Sequence, residues 1–290
     1  MSWRTVVVSS QAKLDCKMGY MVVRALETKR VLLDEIAIVI IENPAVSITG
    51  CLIEAFISKK IKVIFCDSQR NPMAELAAYC GSHDSSAKIR TQAAWKQNIK
   101  DSVWREIVSE KIRLQADFLS DTAHEKEAEL LRSYLSQSAS SDVVNREGHA
   151  AKVYFNALFG RGFTRSAENA INAALNYGYS LILSAFNREI TANGYLTQLG
   201  IFHCSMFNHF NLGSDLMEPY RIIVDRLVYE MVPNKFSKEE KQSLWLLLDL
   251  HVHIDGTKQT VLNAIKMYTR SVLDAINDED VSLIKFYKLI

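Results

Sequence analysis

The chain contains few residues that interrupt or cross-link regular structure. Its 290 residues include 4 prolines, 11 glycines and 5 cysteines. The cysteines are scattered, odd in number and nowhere spaced as C-x-x-C. This argues against a disulfide framework and a zinc ribbon, and it fits a reducing cytoplasm. The cysteines are Cys16, Cys51, Cys66, Cys80 and Cys204.

Strong net charge and long apolar runs are also absent. Lysine and arginine number 34, aspartate and glutamate 33, and the net charge is +1. Any nucleic-acid surface therefore has to be a local patch. No apolar run reaches the length of a membrane span, and residues 1–5 lack the order of a signal peptide. Hydrophobic residues make up 48% of the chain, enough for a sizeable core. We expect a soluble cytoplasmic protein with no membrane segment.

The apolar residues that are present change their spacing along the chain. Up to about residue 67 they form short β-branched runs, which predict strands at residues 6–8, 21–23, 36–41 and 61–66. One helix is predicted within residues 47–60, where Ile48, Leu52 and Phe56 recur four apart. The spacing then becomes helical. Asp84 is predicted to cap a long helix that continues past Ile112, and further helices are predicted at about 120–137, 147–159, 166–189, 215–231, 238–250 and 259–277.

These patterns predict an α+β fold. We expect a small, β-rich N-terminal domain at residues 1–75, followed by a larger, all-helical domain at residues 76–290.

Three segments of the helical part contain residues suited to catalysis. In the first, Asn145 is predicted to cap a helix, with Glu147 in its first turn on the same face as Ala150, Ala151 and Tyr154. An acid in the first turn also complements the helix dipole, so a structural role is the alternative. The small neighbouring side chains would equally let a metal ion or DNA approach Glu147.

The second segment is a helix with an apolar stripe and a polar face. Gly178 lies in the stripe and would permit close contact with another helix. Asn172, Asn176 and Tyr179 share the other face, at spacings of four and three. That face is either plain solvated surface or a set of donors that orient the ligands of a neighbouring metal ion.

The third segment runs from residue 203 to 220. Asp215 and Glu218 are three residues apart, so both carboxylates can project to one side of a helical start. The same spacing is that of a capping box followed by Pro219. His203 alone is more often a partly buried histidine than a ligand. Together the segments offer two or three carboxylates and one imidazole, a set suited to Mg²⁺ or Mn²⁺.

Three other patterns are weaker. Residues 83–86 contain triad residue types, but neighbours in sequence cannot adopt triad geometry. His251 and His253 alternate without another ligand cluster, and their alternation also fits a turn or strand edge. Gly160-Arg161-Gly162 lacks the lysine and the preceding strand of a phosphate loop.

In these segments, and in residues 3–8, 65–67 and 83–86, the chain closely resembles the CRISPR-associated integrase-endonuclease family of adaptation modules, within its type II branch. The resemblance covers essentially the whole chain. It implies a β-rich N-terminal domain and a helical domain that binds a metal ion through Glu147, His203 and Glu218. Many relatives have aspartate where Glu218 stands. The family's additional acid falls on Asp215, as a ligand or as support for one, and the match favours His203 over His209.

The resemblance also implies a function and partners. The function is metal-dependent insertion of short DNA segments into a CRISPR repeat, in which a DNA 3′-hydroxyl attacks a phosphodiester. The partners are DNA, a second copy of the chain contacted through residues 1–75, and a small ferredoxin-like adaptation protein in a prokaryotic cytoplasm. Type II systems add an RNA-guided nuclease and a ring-forming accessory protein. A non-catalytic DNA-binding scaffold and a hydrolytic nuclease are the alternatives.

Positive residues occur in two groups that could contact DNA. The group around the proposed site is expected to bind phosphates; it contains Arg146, Lys152, Arg161, Arg165, Arg188 and Arg221. The other group lies on the first long helical stretch, where neighbouring acids leave a solvated helix face plausible; it contains Lys88, Arg90, Lys96, Lys100, Arg105, Lys111 and Arg113.

Overall fold

The computed structural model describes residues 4–78, 82–136 and 143–290. Trp3 and Cys80, which belong to the sequence patterns above, lie outside these ranges. In the described parts of the chain, no helix is both long enough and apolar enough to cross a membrane.

The N-terminal part forms two four-stranded sheets and one helix. The strands predicted from the β-branched runs are confirmed, and further strands complete the two sheets. The elements are β1 (Arg4–Val8), β2 (Lys13–Lys17), β3 (Tyr20–Arg24), β4 (Thr28–Leu32), β5 (Ile36–Ile41), β6 (Ser47–Ile48), α1 (Gly50–Ser58), β7 (Lys62–Cys66) and β8 (Pro72–Glu75). One sheet has the order β1-β5-β7-β8 and the other β4-β3-β2-β6. β5 pairs in parallel with both β1 and β7.

Strand β5 is buried on both faces, which explains its uninterrupted apolar sequence. One face joins a core shared with the helices, through Ala37, Ile38 and Ile40. The other face packs in the core of the N-terminal part, through Ile36, Val39 and Ile41. The apolar side chains of β5 are therefore buried within the chain. The domain division at residue 75, where β8 ends, stays a prediction.

The remaining described residues are mainly helical. The helices are α2 (Ser85–Ala93), α3 (Gln97–Asp121), α4 (Glu125–Ser136), α5 (Val143–Phe159), α6 (Ala170–Ala192), α7 (Asn211–Leu216), α8 (Arg221–Met231), α9 (Lys238–Trp245) and α10 (Val261–Asn277). The helix predicted to start at Asp84 is divided into α2 and α3. Asn145 lies inside α5, so its predicted position as the helix cap is wrong.

The helix predicted at 215–231 is also interrupted. α7 ends at Leu216, a 3-10 turn covers Glu218–Tyr220, and α8 follows. Pro219 lies in that turn and has no N–H group to donate to a continuing helix.

The prediction of an all-helical C-terminal domain is wrong. β9 (His251–Ile254), β10 (Thr257–Thr260) and β11 (Lys288–Leu289) form a three-stranded sheet. Asp255 and Gly256 make the hairpin turn, and both have positive φ, as the tightest hairpin turns require. His251 and His253 occupy the exposed face of β9, so their alternation is that of a strand.

Close helix packing brings the candidate site together. A Cβ atom on Gly178 of α6 would lie 2.4 Å from a methyl carbon of Val224 on α8, so the contact predicted at Gly178 is confirmed. Helix α3 contacts α5, α7, α8 and the turn at Glu218–Tyr220. The elements that carry Glu147 and Glu218 therefore meet along one helix, α3.

Candidate active site

Glu147 and Glu218 meet at the ammonium group of Lys111. The Lys111 Nζ atom lies 2.6 Å from Oε1 of Glu147 and 2.6 Å from Oε2 of Glu218. The three residues come from α5, the turn after α7, and α3. Burial alone lowers the pKa of Lys111, but the charges of Glu218 and Glu147 outweigh it and raise that pKa above its ordinary value. The lysine is therefore charged, and it holds two carboxylates together.

Glu218 is a buried, ionised carboxylate. Its residue is 4% exposed, and Arg221 Nε donates a hydrogen bond of 2.9 Å to Oε1. Burial alone would raise the pKa of Glu218, but Arg221 and Lys111 lower it to about 2. Two positive groups thus keep this carboxylate charged at every ordinary pH.

Asp215 is committed to the loop that carries His203. Its Oδ2 atom accepts hydrogen bonds from the backbone N–H groups of Ile201 at 2.6 Å and Phe202 at 3.1 Å. Its Oδ1 atom accepts one from the backbone N–H of His203 at 3.1 Å. Asp215 also lies inside α7 and not before a helix start, so the capping-box alternative is wrong. The contacts favour a supporting role for Asp215 over that of a direct ligand.

His203 is oriented by the same carboxylate. Its Nδ1 atom lies 2.5 Å from Asp215 Oδ1, and because an ionised carboxylate only accepts, Nδ1 is the donor. That hydrogen bond raises the pKa of His203, and the charges of Glu218 and Glu147 add to the effect against burial. The ring meets Trp104 edge-on at 5.6 Å. Nε2 is thereby left as the nitrogen that could bind a metal ion.

The donor set suits a divalent metal ion. Carboxylate oxygens and a neutral imidazole nitrogen are ligands of Mg²⁺ and Mn²⁺. Glu218 Oε2 is buried and has no hydrogen-bond partner among the described residues, because its contact with Lys111 lacks hydrogen-bond geometry. Across residues 4–78, 82–136 and 143–290, however, no three His, Cys, Asp or Glu side chains are gathered as ligands of one ion. The residues fit the ion chemically, with Lys111 standing between two of them.

Asn172 and Asn176 contact an arginine. Arg165 donates hydrogen bonds to the side-chain oxygens of both, at 2.6 Å for Asn176. Asn172 also donates to the carbonyl oxygens of Thr164 and Ala167, both at 2.8 Å. The sequence predicts that these amides orient metal ligands. Their hydrogen bonds instead fix Arg165 and the loop before α6.

The sequence also predicts that Tyr179 orients a metal ligand, but its hydroxyl has another partner. Its hydroxyl donates a hydrogen bond to buried Asp225, to which Tyr154 donates as well, at 3.1 Å. The Arg221 guanidinium lies 4.7 Å from the centre of the Tyr179 ring, and that of Arg165 lies 5.3 Å from it. Tyr179 therefore holds two arginines beside the carboxylates through cation–π contacts.

A cavity of about 170 Å³ opens at this point. It is lined by the Lys111, Arg165 and Arg221 cations and by Tyr179, Glu218 and Asp225. Arginine binds phosphate oxygens through paired hydrogen bonds, so this cavity is suited to a phosphate group next to the carboxylates.

The other arginines expected to bind DNA are dispersed. Arg188 donates to the carbonyl oxygen of Lys60 at 3.0 Å and pairs with Glu189, so it lies against the N-terminal part of the chain. Arg188 does not line the cavity beside Glu218, and its binding to DNA stays a prediction. Arg146 is half-buried over the ring of Tyr134, and Arg161 is exposed.

Lys111 is the site residue that the sequence prediction missed. The alternative that Lys111 lies on a solvated helix face is wrong, because its side chain is only 11% exposed. A signal is present, because Lys111 falls in the apolar stripe of α3 between Ile107 and Leu114, both of which are buried. A charged residue in an apolar stripe needs a buried partner.

Comparison with known proteins gives consistent matches. The family model described as CRISPR associated protein Cas1 matches residues 5–249. The chain is 32% identical over 296 aligned residues to the CRISPR-associated endonuclease Cas1 of Neisseria meningitidis serogroup C, strain 8013, covering 100% of this chain and 97% of that protein.

Two solved structures share the fold. A Cas6-RT-Cas1–Cas2 complex gives a TM-score of 0.78 at 16% identity and covers 99% of this chain, which in turn spans 36% of that chain. A casposase bound to integration product gives a TM-score of 0.75 at 16% identity, covering 97% of this chain and 93% of that one.

Proposed function

The chain belongs to the CRISPR-associated Cas1 family, and on that premise we propose that it is a metal-dependent DNA integrase-endonuclease. In the reaction, the 3′-hydroxyl of a short DNA segment attacks a phosphodiester at the edge of a CRISPR repeat. A new phosphodiester joins the segment's 3′ oxygen to the phosphate at the 5′ end on one side of the cut, and the strand on the other side leaves with a free 3′-hydroxyl. The observation that carries the proposal is the meeting of Glu147 and Glu218 beside three cations, near a histidine held by Asp215.

Glu147, Glu218 and His203 are the residues that would hold the metal ion, Mg²⁺ or Mn²⁺. When bound, the ion would polarise the phosphate and offset charge on the leaving oxygen. Asp215 accepts a hydrogen bond from Nδ1 of His203, so in the neutral ring Nε2 is the nitrogen that would bind the ion. Arg221 and Arg165 line the adjoining cavity and would bind the non-bridging oxygens of the phosphate.

The reaction needs no nucleophile from the protein, because the attacking oxygen belongs to DNA. Its rate would come from positioning and from electrostatic stabilisation. The buried ion pair of Glu218 with Arg221 supports this, since it fixes charges in place before the substrate arrives.

The proposal includes partners. A protein whose structure is named as a Cas6-RT-Cas1–Cas2 complex shares this fold, which supports assembly with a small adaptation protein of the ferredoxin-like class. We further propose a homodimer that uses residues 1–75, and a place in the type II branch, with its RNA-guided nuclease and ring-forming accessory protein. The type II placement rests on the sequence motifs.

A strand-joining assay tests the function. A labelled DNA segment with a free 3′-hydroxyl is incubated with a supercoiled plasmid that carries CRISPR repeats, with and without Mg²⁺ or Mn²⁺. We expect labelled, joined products with the wild-type chain and none with Glu147→Gln. Glu129→Gln, an exposed acid on α4, is the matched control and should join normally. Cut but unjoined plasmid would indicate a hydrolytic nuclease instead, and near-normal joining by Glu147→Gln would contradict the proposed site.

A further inference from the structure

The ammonium group of Lys111 lies where a cation bound by Glu147 and Glu218 would lie. We propose that Lys111 is an internal counter-ion, which occupies the cation position of these two carboxylates in the metal-free protein and withdraws when a divalent ion binds. The inference rests on the proposed function, because it assumes that a metal ion binds between the same two carboxylates.

The first step of the argument concerns charge. Two carboxylates that share a buried site repel each other, and Glu218 is 4% exposed. Arg221 pairs with Oε1 of Glu218 and leaves Oε2 to Lys111. Glu147 receives its hydrogen bond from the same ammonium, at 2.6 Å. Lys111 therefore supplies the positive charge that a metal ion would otherwise supply between these carboxylates.

The second step concerns how easily the ammonium can be exchanged. Glu218 Oε2 has no hydrogen-bond partner in the described part of the chain, although the ammonium is 2.6 Å away. The ammonium and Oε2 are held together by their opposite charges. A divalent ion carries twice the charge of the ammonium and could replace it at that oxygen.

The third step concerns where the ammonium can go. Lysine carries its charge on a flexible four-carbon chain. Lys111 lines the cavity of about 170 Å³ beside the carboxylates, and Asp225 lines the same cavity. The side chain therefore has space to turn into and a third carboxylate, that of Asp225, to face.

The proposal has two opposite consequences. Because the ammonium and the ion compete for the same oxygens, the apparent affinity for the ion is lowered by the fraction of protein in which lysine occupies the site. Because the lysine neutralises buried carboxylates, its removal destabilises the metal-free protein. If Lys111 had only a structural role, its removal would destabilise the metal-free protein without raising the affinity for the ion.

The experiment measures Mn²⁺ binding in the absence of DNA. Lys111→Met and Lys111→Gln are titrated with Mn²⁺ at fixed ionic strength, with free Mn²⁺ followed by electron paramagnetic resonance, and thermal unfolding is recorded with and without the ion. Lys126→Gln removes an exposed lysine of α4 and controls for net charge. We expect the Kd for Mn²⁺ to fall roughly tenfold in both Lys111 variants. We also expect a lower metal-free Tm and a larger rise in Tm on adding Mn²⁺.

The outcomes separate this inference from the proposed function. Unchanged or weaker Mn²⁺ binding in the Lys111 variants, with clear binding by the wild-type chain, overturns the inference and leaves the metal site standing. The metal site itself is contradicted, and the inference with it, if Mn²⁺ binding persists unchanged when Glu147→Gln and Glu218→Gln are combined. Absence of Mn²⁺ binding from all variants contradicts both as well. If Lys111→Met does not fold, Lys111→Gln decides, since its amide can still donate to a carboxylate.

Discussion

The Nδ1 atom of His203 lies 2.5 Å from Oδ1 of Asp215, a carboxylate that also accepts the backbone N–H groups of Ile201, Phe202 and His203. One buried side chain therefore fixes both the ring and the loop that carries it. The next helical turn after Asp215 leads directly to Glu218. The positions of two proposed ligands are thus coupled through one acid.

Asp215→Asn should lower strand joining about 10- to 100-fold, the usual loss when a group that orients a metal-binding histidine is replaced. An asparagine would turn an amide N–H₂ toward groups that are themselves donors. The rate of joining at saturating Mn²⁺ measures the loss. If Asp215 acts through His203, the same change should cost little in a His203→Ala background. A full additional loss in that background would contradict the coupling.

Gly200 leaves no room for a side chain in this loop. A Cβ atom there would lie 2.3 Å from the carbonyl oxygen of His203 and 2.7 Å from Oδ2 of Asp215. Gly200→Ala should therefore displace the loop, lower Tm by several degrees and reduce joining in parallel. Gly50→Ala, where a Cβ would meet nothing within 4 Å, is the matched control and should change neither. Normal joining by Gly200→Ala would show that the loop tolerates the shift.

Asp225 should make stability depend on pH. Burial raises its pKa from 3.8 to about 6, despite hydrogen bonds from Tyr179 and Tyr154. Because the unfolded chain releases this proton near pH 3.8, the folded state holds the extra proton between 3.8 and about 6. The contribution of Asp225 to the free energy of unfolding is therefore fully present below pH 3.8 and is lost as the pH rises through about 6.

Asp225→Asn removes that titration. The free energy of unfolding of the variant, relative to the wild type, should increase across this pH range by at most about 3 kcal/mol. Urea unfolding at several pH values measures it. Asp278→Asn, at an exposed aspartate after α10, should leave the pH dependence unchanged. A constant difference between Asp225→Asn and wild type at all pH values would contradict the prediction.

Much of the fold could be predicted from the spacing of apolar residues. The continuous run in β5 and the helical period of α6 identify elements that are buried among many others, where hydrophobic pattern dominates. The hairpin from His251 to Thr260 was missed because its strands are four residues long and carry polar side chains on one face. The Asp255-Gly256 pair was the available signal.

The site was less predictable from spacing alone. Glu147 and Glu218 are singled out by their match to a family, since local patterns explain each of them equally well as helix-end acids. The partners of Lys111 could not be predicted from the sequence. The helical period shows that Lys111 is on a buried face of its helix, but it does not show which segment of the chain packs against that face. The hydrogen bonds of Asn172 and Asn176 with Arg165 depend on the loop path between α5 and α6, which no periodic pattern describes.

The loop between α5 and α6 carries two of the arginines that are expected to bind DNA phosphates. Arg161 is exposed on it, whereas Arg165 is held by Asn172 and Asn176 at the mouth of the cavity beside Glu218. Binding to phosphates is insensitive to base sequence, so removal of these arginines should weaken DNA binding alike for all sequences.

Arg161→Ala combined with Arg165→Ala should make the slope of log affinity against log salt shallower by about one unit for each DNA phosphate that the variant no longer binds. Titrations of several DNA sequences at several salt concentrations measure the slope. Arg270→Ala, at an arginine of α10 that is 77% exposed, is the matched control and should leave the slope unchanged. Because Arg165 is fixed before DNA arrives, Arg165→Ala alone should weaken binding more than Arg161→Ala, whose side chain has to be ordered on binding. An unchanged slope with unchanged affinity in the double variant would mean that DNA does not follow this loop.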